Sequence, residues 1–254
     1  MIARLMTALR VTMTACVALI GIAASSPVRA QALVADLSNH LVAITTGFTG
    51  AEILLFGAVE GTGDVVVTVR GPAREETVRR KVRVAGLWMN GAEVAFQNVP
   101  VFYAVFASKP LDAIVTDELA DAHQIGAENL SLRTDSTRSA EEIDDFRAAL
   151  IRAKERKGLY VHGAGRLAFL GPRLFRANLV FPGNVPTGSY TVEVLLIRGG
   201  NIVSAQTTPL YISQAGVSAD VYEFAHRQAL FYGLLAIVAA LGTGWIAGAV
   251  FRKV

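Results

Sequence analysis

One cysteine in 254 residues, Cys16, leaves the chain without an internal disulfide or a cysteine-ligated zinc site. Methionine is almost as scarce. Met1, Met6 and Met13 crowd the start and only Met89 follows, which excludes a methionine-rich copper site. The four histidines, His40, His123, His162 and His226, nowhere form the His-x-x-x-His spacing of a helical zinc pair. Charged residues make up 18% of the chain, below the usual quarter or so. The net excess of +3 equals Arg4, Arg10 and Arg29, three bases in an opening stretch that holds no acid. Beyond that stretch the charges balance, so the basic isoelectric point does not imply a nucleic-acid partner.

What the chain does have is a long apolar run near its end, ALFYGLLAIVAALGTGWIAGAVF, from Ala229 to Phe251. As a helix these roughly 23 residues would rise about 1.5 Å each and cover the 30 Å or so of a bilayer's hydrocarbon core. Phe231 and Tyr232 lie toward one end and Trp245 and Phe251 toward the other, as interfacial anchors do. A buried core helix would need apolar partners on every side, and no other segment of the mature chain offers them. At the opposite end, MIARLMTALRVTMTACVALIGIAASSPVRA places Arg4 and Arg10 before an apolar run from Val11 to Ala24. Val28 and Ala30 fit the recognition positions of an export peptidase. Residues 1–30 therefore read as a signal peptide, with cleavage expected after Ala30 and loss of Cys16. An uncleaved anchor is the alternative. A lipoprotein reading through Cys16 is weaker, since Met13 stands where leucine is usual. A leader followed by one stop-transfer helix puts residues 31–228 outside the cytoplasmic membrane, 229–251 across it, and 252–254 inside. Arg252 and Lys253 agree with the positive-inside rule. Arginine outnumbers lysine, as in GC-rich bacterial genomes, and in a bacterium outside means the periplasm.

The exported part opens on short β-rich segments: HLVAITTGF, AEILLFGAVEG, DVVVTVRGP, TVRRKVRVAGLWMNG, AEVAFQNVP and VFYAVFASKP. Glycine, proline, asparagine or aspartate punctuates them roughly every ten residues, the spacing of an antiparallel sandwich or barrel. In VRRKVRV, Val78, Val82 and Val84 face one way and Lys81 and Arg83 the other. Arg79, Arg80, Lys81 and Arg83 make a basic cluster that could bind an anion or lipid headgroups. A solvated strand face or a charged, aggregation-resistant edge explains the same residues. Between about 111 and 157 the pattern turns polar and helical. Ser139 with Glu142 reads as a capping box, and Ile143, Phe146, Leu150 and Ala153 fall on one helix face. Glu141, Glu142, Asp144 and Asp145 at the start, with Lys154, Arg156 and Lys157 near the end, match the helix dipole. That placement accounts for the acids without a metal or glycosidase site, and Gly158 supplies a stop. Strands then resume. Tyr190, Val192, Val194 and Leu196 should share one face, and Gly199-Gly200 should turn a hairpin. Pro186-x-Gly-x-Tyr190 before a late strand is common in immunoglobulin-like sandwiches. The expected fold is mainly β: an immunoglobulin-like antiparallel β-sandwich with a helical insertion, plus one C-terminal transmembrane helix. Two small β domains are the alternative.

Motifs that carry chemistry are weak. GAGRLA, Gly163 to Ala168, matches a dinucleotide fingerprint, but the fingerprint works only where a helix begins at the glycines, and Gly171-Pro172 follows at once. GVSAD, Gly216 to Asp220, falls short of the hydrolase elbow. In the apolar run, Ala236, Ala240, Gly244 and Gly248 recur every four residues. They form a small-residue ridge able to pack against another span, although glycine and alanine are common in spans.

TGFTGAEILLFGAVEG, the core from VRRKVRVAGLWMN to VPVFYAVFASKPL, LFRANLVFPGNVPTGSYTVEVLLIRGG and the GW…FRK ending resemble the alphaproteobacterial putative transmembrane protein family, from about Ser38 to the C-terminus. The resemblance implies an exported domain with a single C-terminal span; it implies no activity and carries over no catalytic residues and no cofactor. It also implies an association with permeases of the sulfite or organosulfur exporter type. Three functions are therefore carried forward. The first is a non-enzymatic periplasmic interaction module held at the inner membrane. The second is an accessory subunit of a transporter, bound to the permease or to a second copy through the span. The third is a periplasmic hydrolase with an unrecognised site.

Overall fold

A computed structural model describes residues 32–84, 86–215 and 225–251. The signal-peptide reading of 1–30 and the tail 252–254 lie outside them. Strands β1 (Leu33–Leu37), β2 (Leu41–Ile44), β3 (Gly50–Val59), β4 (Asp64–Arg70), β5 (Ala73–Val84), β6 (Leu87–Pro100) and β7 (Tyr103–Ala107) come first. Short 3-10 turns at Leu111–Ala113 and Ala127–Asn129 then flank α1 (Asp117–His123), and α2 (Ala140–Arg156) follows. Strands β8 (Tyr160–Phe169), β9 (Leu174–Pro182), β10 (Gly188–Arg198) and β11 (Asn201–Gln214) precede α3 (Ala229–Phe251).

Nine strands form one sheet in the order β1-β3-β9-β8-β7-β4-β10-β11-β2. The sheet curls until β1 meets β11. Gln206 closes it by donating Nε2 to the Ala35 carbonyl at 2.6 Å and accepting from the Ala35 amide at 2.8 Å. Inside the curl the inward residues of facing strands interdigitate: Leu33 and Ala35, Ile53 and Leu55, Phe175 and Leu179, Val192 and Val194. Phe181 stacks 5.0 Å from Phe102 and meets Tyr190 edge-on at 5.9 Å. Burial on one face only gives β1, β3 and β9 their alternating pattern. Strands β4 and β7 are buried on both faces, which is why VVVTV and YAVFA read as near-continuous apolar runs, with Thr68 the polar exception.

The mainly β reading with a helical insertion holds. The pairing, however, is not antiparallel throughout. Strands β7 and β8 run parallel, as do β2 and β11. Parallel neighbours need a crossover of a dozen or more residues, and the helical segment between β7 and β8 supplies it.

The outer faces of β4, β7 and β10 are covered by that helical segment and by the β5–β6 ribbon, a separate two-stranded sheet bridged to the segment where Gln97 pairs with Arg133. Here α2 presents Phe146 and Leu150 to Val94, Phe96, Val105 and Leu195. The Ser139 hydroxyl caps it by accepting from the Glu142 amide at 3.3 Å, while the Glu142 carboxylate turns 3.7 Å from Arg138. Gly158, at φ +69°, ends it. Two tyrosines tie this layer down. Tyr103 donates to the Gln124 carbonyl at 2.7 Å and accepts from the Gly126 amide at 2.8 Å, and Tyr160 donates to the Pro100 carbonyl at 2.9 Å. Burial pushes both phenols well above their ordinary range, so they act as neutral donors.

Candidate functional site

The β5–β6 ribbon is longer than the layer it helps to build. Its inward stripe begins with Phe96, Val94 and the half-buried Val78, all packed in the core that α2 covers. Alternation continues that stripe through Val82 and Val84 on β5, paired with Met89 and Leu87 on β6. Past Arg80 nothing covers it. Leu87 is 70% exposed and Val84 and Met89 just over half. Trp88, 69% exposed, pairs with Arg83 and so stands on the opposite face, with Lys81 and Asn90. Gly86, at φ +87°, sits in the connection that turns the two strands back on each other.

The four basic residues separate into two roles. Arg80 points back toward α2, with its guanidinium 5.1 Å over the Phe146 ring and 3.4 Å from Asp145. Arg79 pairs with Glu93 at 2.7 Å. Lys81 Nζ donates to Asn90 Oδ1 at 2.6 Å, and Arg83 Nε donates to the Gly86 carbonyl at 3.3 Å. Among the described residues, therefore, Lys81 and Arg83 meet no carboxylate. The combined result is an amphipathic, convex tip: an aliphatic face, a tryptophan and two uncompensated cations. The sequence reading found the cations and the side each valine takes. It missed the tip by running TVRRKVRVAGLWMNG together as one strand. The alternation on both sides of Ala85-Gly86 was the available signal.

The second candidate surface, Ala236, Ala240, Gly244 and Gly248, lies along α3, a helix long and apolar enough to cross a membrane. All four are exposed, and a Cβ placed on Gly244 or Gly248 would meet nothing within 4 Å.

Elsewhere the geometry offers little chemistry. GAGRLA lies within β8, so no helix begins at its glycines. Gly165 is needed there because a Cβ would fall 2.5 Å from the Phe106 ring on β7. An open cleft of about 740 Å³ beside the ends of β7 and β8 is lined by Lys109, Asp112, Asp117, Glu128 and Arg166 among others. A smaller one of about 250 Å³ holds Tyr103, Glu128, Glu155 and His162. His162 Nδ1 is 3.0 Å from Glu155, but no serine, threonine or cysteine lines that pocket to serve as nucleophile. His40 pairs with Asp36 at 2.9 Å, far along the chain from both. Among the described residues no three His, Cys, Asp or Glu side chains gather as metal ligands.

Among solved structures, the sporulation control protein Spo0M of Bacillus subtilis aligns at 10% identity with a TM-score of 0.27, over 77% of this chain and 54% of its own. The chain thus spans about half the length of that protein. No curated protein matches. A family model matches residues 32–253, covering the curled sheet, the ribbon and the apolar helix, and the chain belongs to the family described as "Putative transmembrane protein".

Proposed function

We propose that the protein is a single-pass anchor of the bacterial inner membrane whose β domain stands in the periplasm and works by contact, without catalysis. The observation that carries this reading is the ribbon tip. An apolar stripe leaves its own core and ends on Leu87, with Trp88 beside it, and no element among the described residues covers it. A surface of that kind, on a chain that also carries a span, is suited to contact at the membrane.

A second reading, an accessory subunit of a permease or a homodimer, draws on the open small-residue ridge of α3. Helices in lipid gain no hydrophobic drive from pairing, so a partner span would be held by close backbone packing along such a ridge.

A photoreactive diazirine side chain placed at residue 88 in native membranes tests the main reading. It should form adducts, to lipid or to protein, well above those formed at the comparably exposed Val180 on β9. Equal, background-level labelling at both positions would count against the tip as a contact surface.

A further inference from the structure

We infer that the β5–β6 tip is a foot for the lipid surface, seated in the anionic headgroup layer of the same bilayer that α3 crosses. The inference rests on the anchored reading above and names what the tip touches. Its composition is that of the membrane interface: a tryptophan and two cations on one face, aliphatic side chains on the other. Lys81 and Arg83 are free of carboxylate partners among the described residues, so they are available to phosphate. The exposure agrees, since Leu87, Trp88, Val84 and Met89 all stand open at the end of a two-stranded ribbon.

Topology puts the foot within reach. The root of the ribbon, Pro72, lies so close to Gly188 that a Cβ there would fall 2.6 Å from the proline ring. Gly188 pairs with Ile212, two residues before β11 ends at Gln214. The ribbon thus springs from the end of the sheet at which the chain leaves for the span. The 14 or so residues from 215 to 228 reach at most about 50 Å, and the ribbon, at roughly 3.4 Å per residue, is about 40 Å long. A linker of that reach lets the tip meet the surface, and tethering by the span raises its effective concentration there, so a weak intrinsic affinity is enough. A lipid foot also suits the charge pattern. Each basic residue near an anionic surface raises partitioning about fivefold, so Lys81 and Arg83 together supply roughly 25-fold.

The chain has two tryptophans, Trp88 and Trp245. In full-length Trp245→Phe protein, reconstituted into phosphatidylcholine vesicles with about a quarter phosphatidylglycerol, Trp88 alone reports on the tip. Its emission should shift to shorter wavelength and be quenched by lipids brominated in the upper acyl chain. The Lys81→Glu/Arg83→Glu variant, altered only on the exposed face, should lose at least about tenfold in the lipid-seated to free ratio, since reversal removes both attractions. A water-exposed emission without bromine quenching, in protein whose span resists alkaline extraction, would overturn the foot and leave the anchor standing. So would a shift that appears in native membranes but not in pure lipid, because the tip would then dock on a protein. Protein released from vesicles at alkaline pH would defeat the anchored reading and the foot together.

Discussion

Phe146→Ala should destabilise the β domain by about 3–5 kcal/mol. Phe146 is 3% exposed and is the largest side chain that α2 lends to the outer core. Truncation removes the transfer energy of the ring and leaves a cavity between α2 and the ribbon, since Val94, Phe96 and Leu150 are fixed by their own strands and helix. Arg80 would lose the ring beneath its guanidinium, a further loss of about 0.5–1 kcal/mol at a partly exposed site. For a domain of this size the melting temperature should fall by roughly 10 °C. Ile143, only half-buried on the same helix, should cost less when truncated. Calorimetry of the detergent-solubilised full chain reads both. A Phe146→Ala protein that melts with wild type would mean that α2 contributes nothing to the core.

Glu76→Ala should be nearly as damaging, for a different reason. Lys154 is the only fully buried charged side chain among the described residues, and its ammonium sits 2.5 Å from Glu76 Oε1. Removing the glutamate leaves that ammonium desolvated and unpaired, which costs about 3–5 kcal/mol in a closed interior. Glu76 keeps 37% of its side chain exposed, so water can partly replace it and the expected loss is at the low end, about 3 kcal/mol. The double variant Glu76→Ala/Lys154→Met removes the charge with its partner and should recover most of that loss. Urea denaturation separates the two. A double variant as unstable as Glu76→Ala would show that packing at Glu76, and not the unpaired ammonium, sets the cost.

Lys154 also shows where the sequence stops being legible. From sequence its charge reads as a complement to the helix dipole, because it stands in the last turn of α2 with Arg156. Nothing local distinguishes it from Lys157; it is buried because β5 crosses α2 and brings Glu76 to it, 78 residues away. Features set by neighbouring residues could be read. Ser139 capped its helix, Gly199 and Gly200 took the positive φ that turns β10 into β11, and Tyr190, Val192, Val194 and Leu196 shared one buried face. Features set by pairing could not. The parallel contacts of β7 with β8 and β2 with β11 depend on which distant strand lies alongside in the folded sheet, and strand patterns carry no such information. The tip is an intermediate case. Its apolar and basic residues were visible, but that they form an uncovered end depends on where α2 stops covering the ribbon.

On the proposed reading, one bilayer crossing by α3 holds the β domain on the outer side of the inner membrane. With Cys16 changed to serine, a single cysteine can be placed at the exposed Ser131 or at Val254 and treated with a membrane-impermeant maleimide in spheroplasts. The account predicts that Ser131→Cys reacts at once and that Val254→Cys reacts only after the membrane is permeabilised. Prompt labelling at position 254, with position 131 protected until lysis, would contradict it.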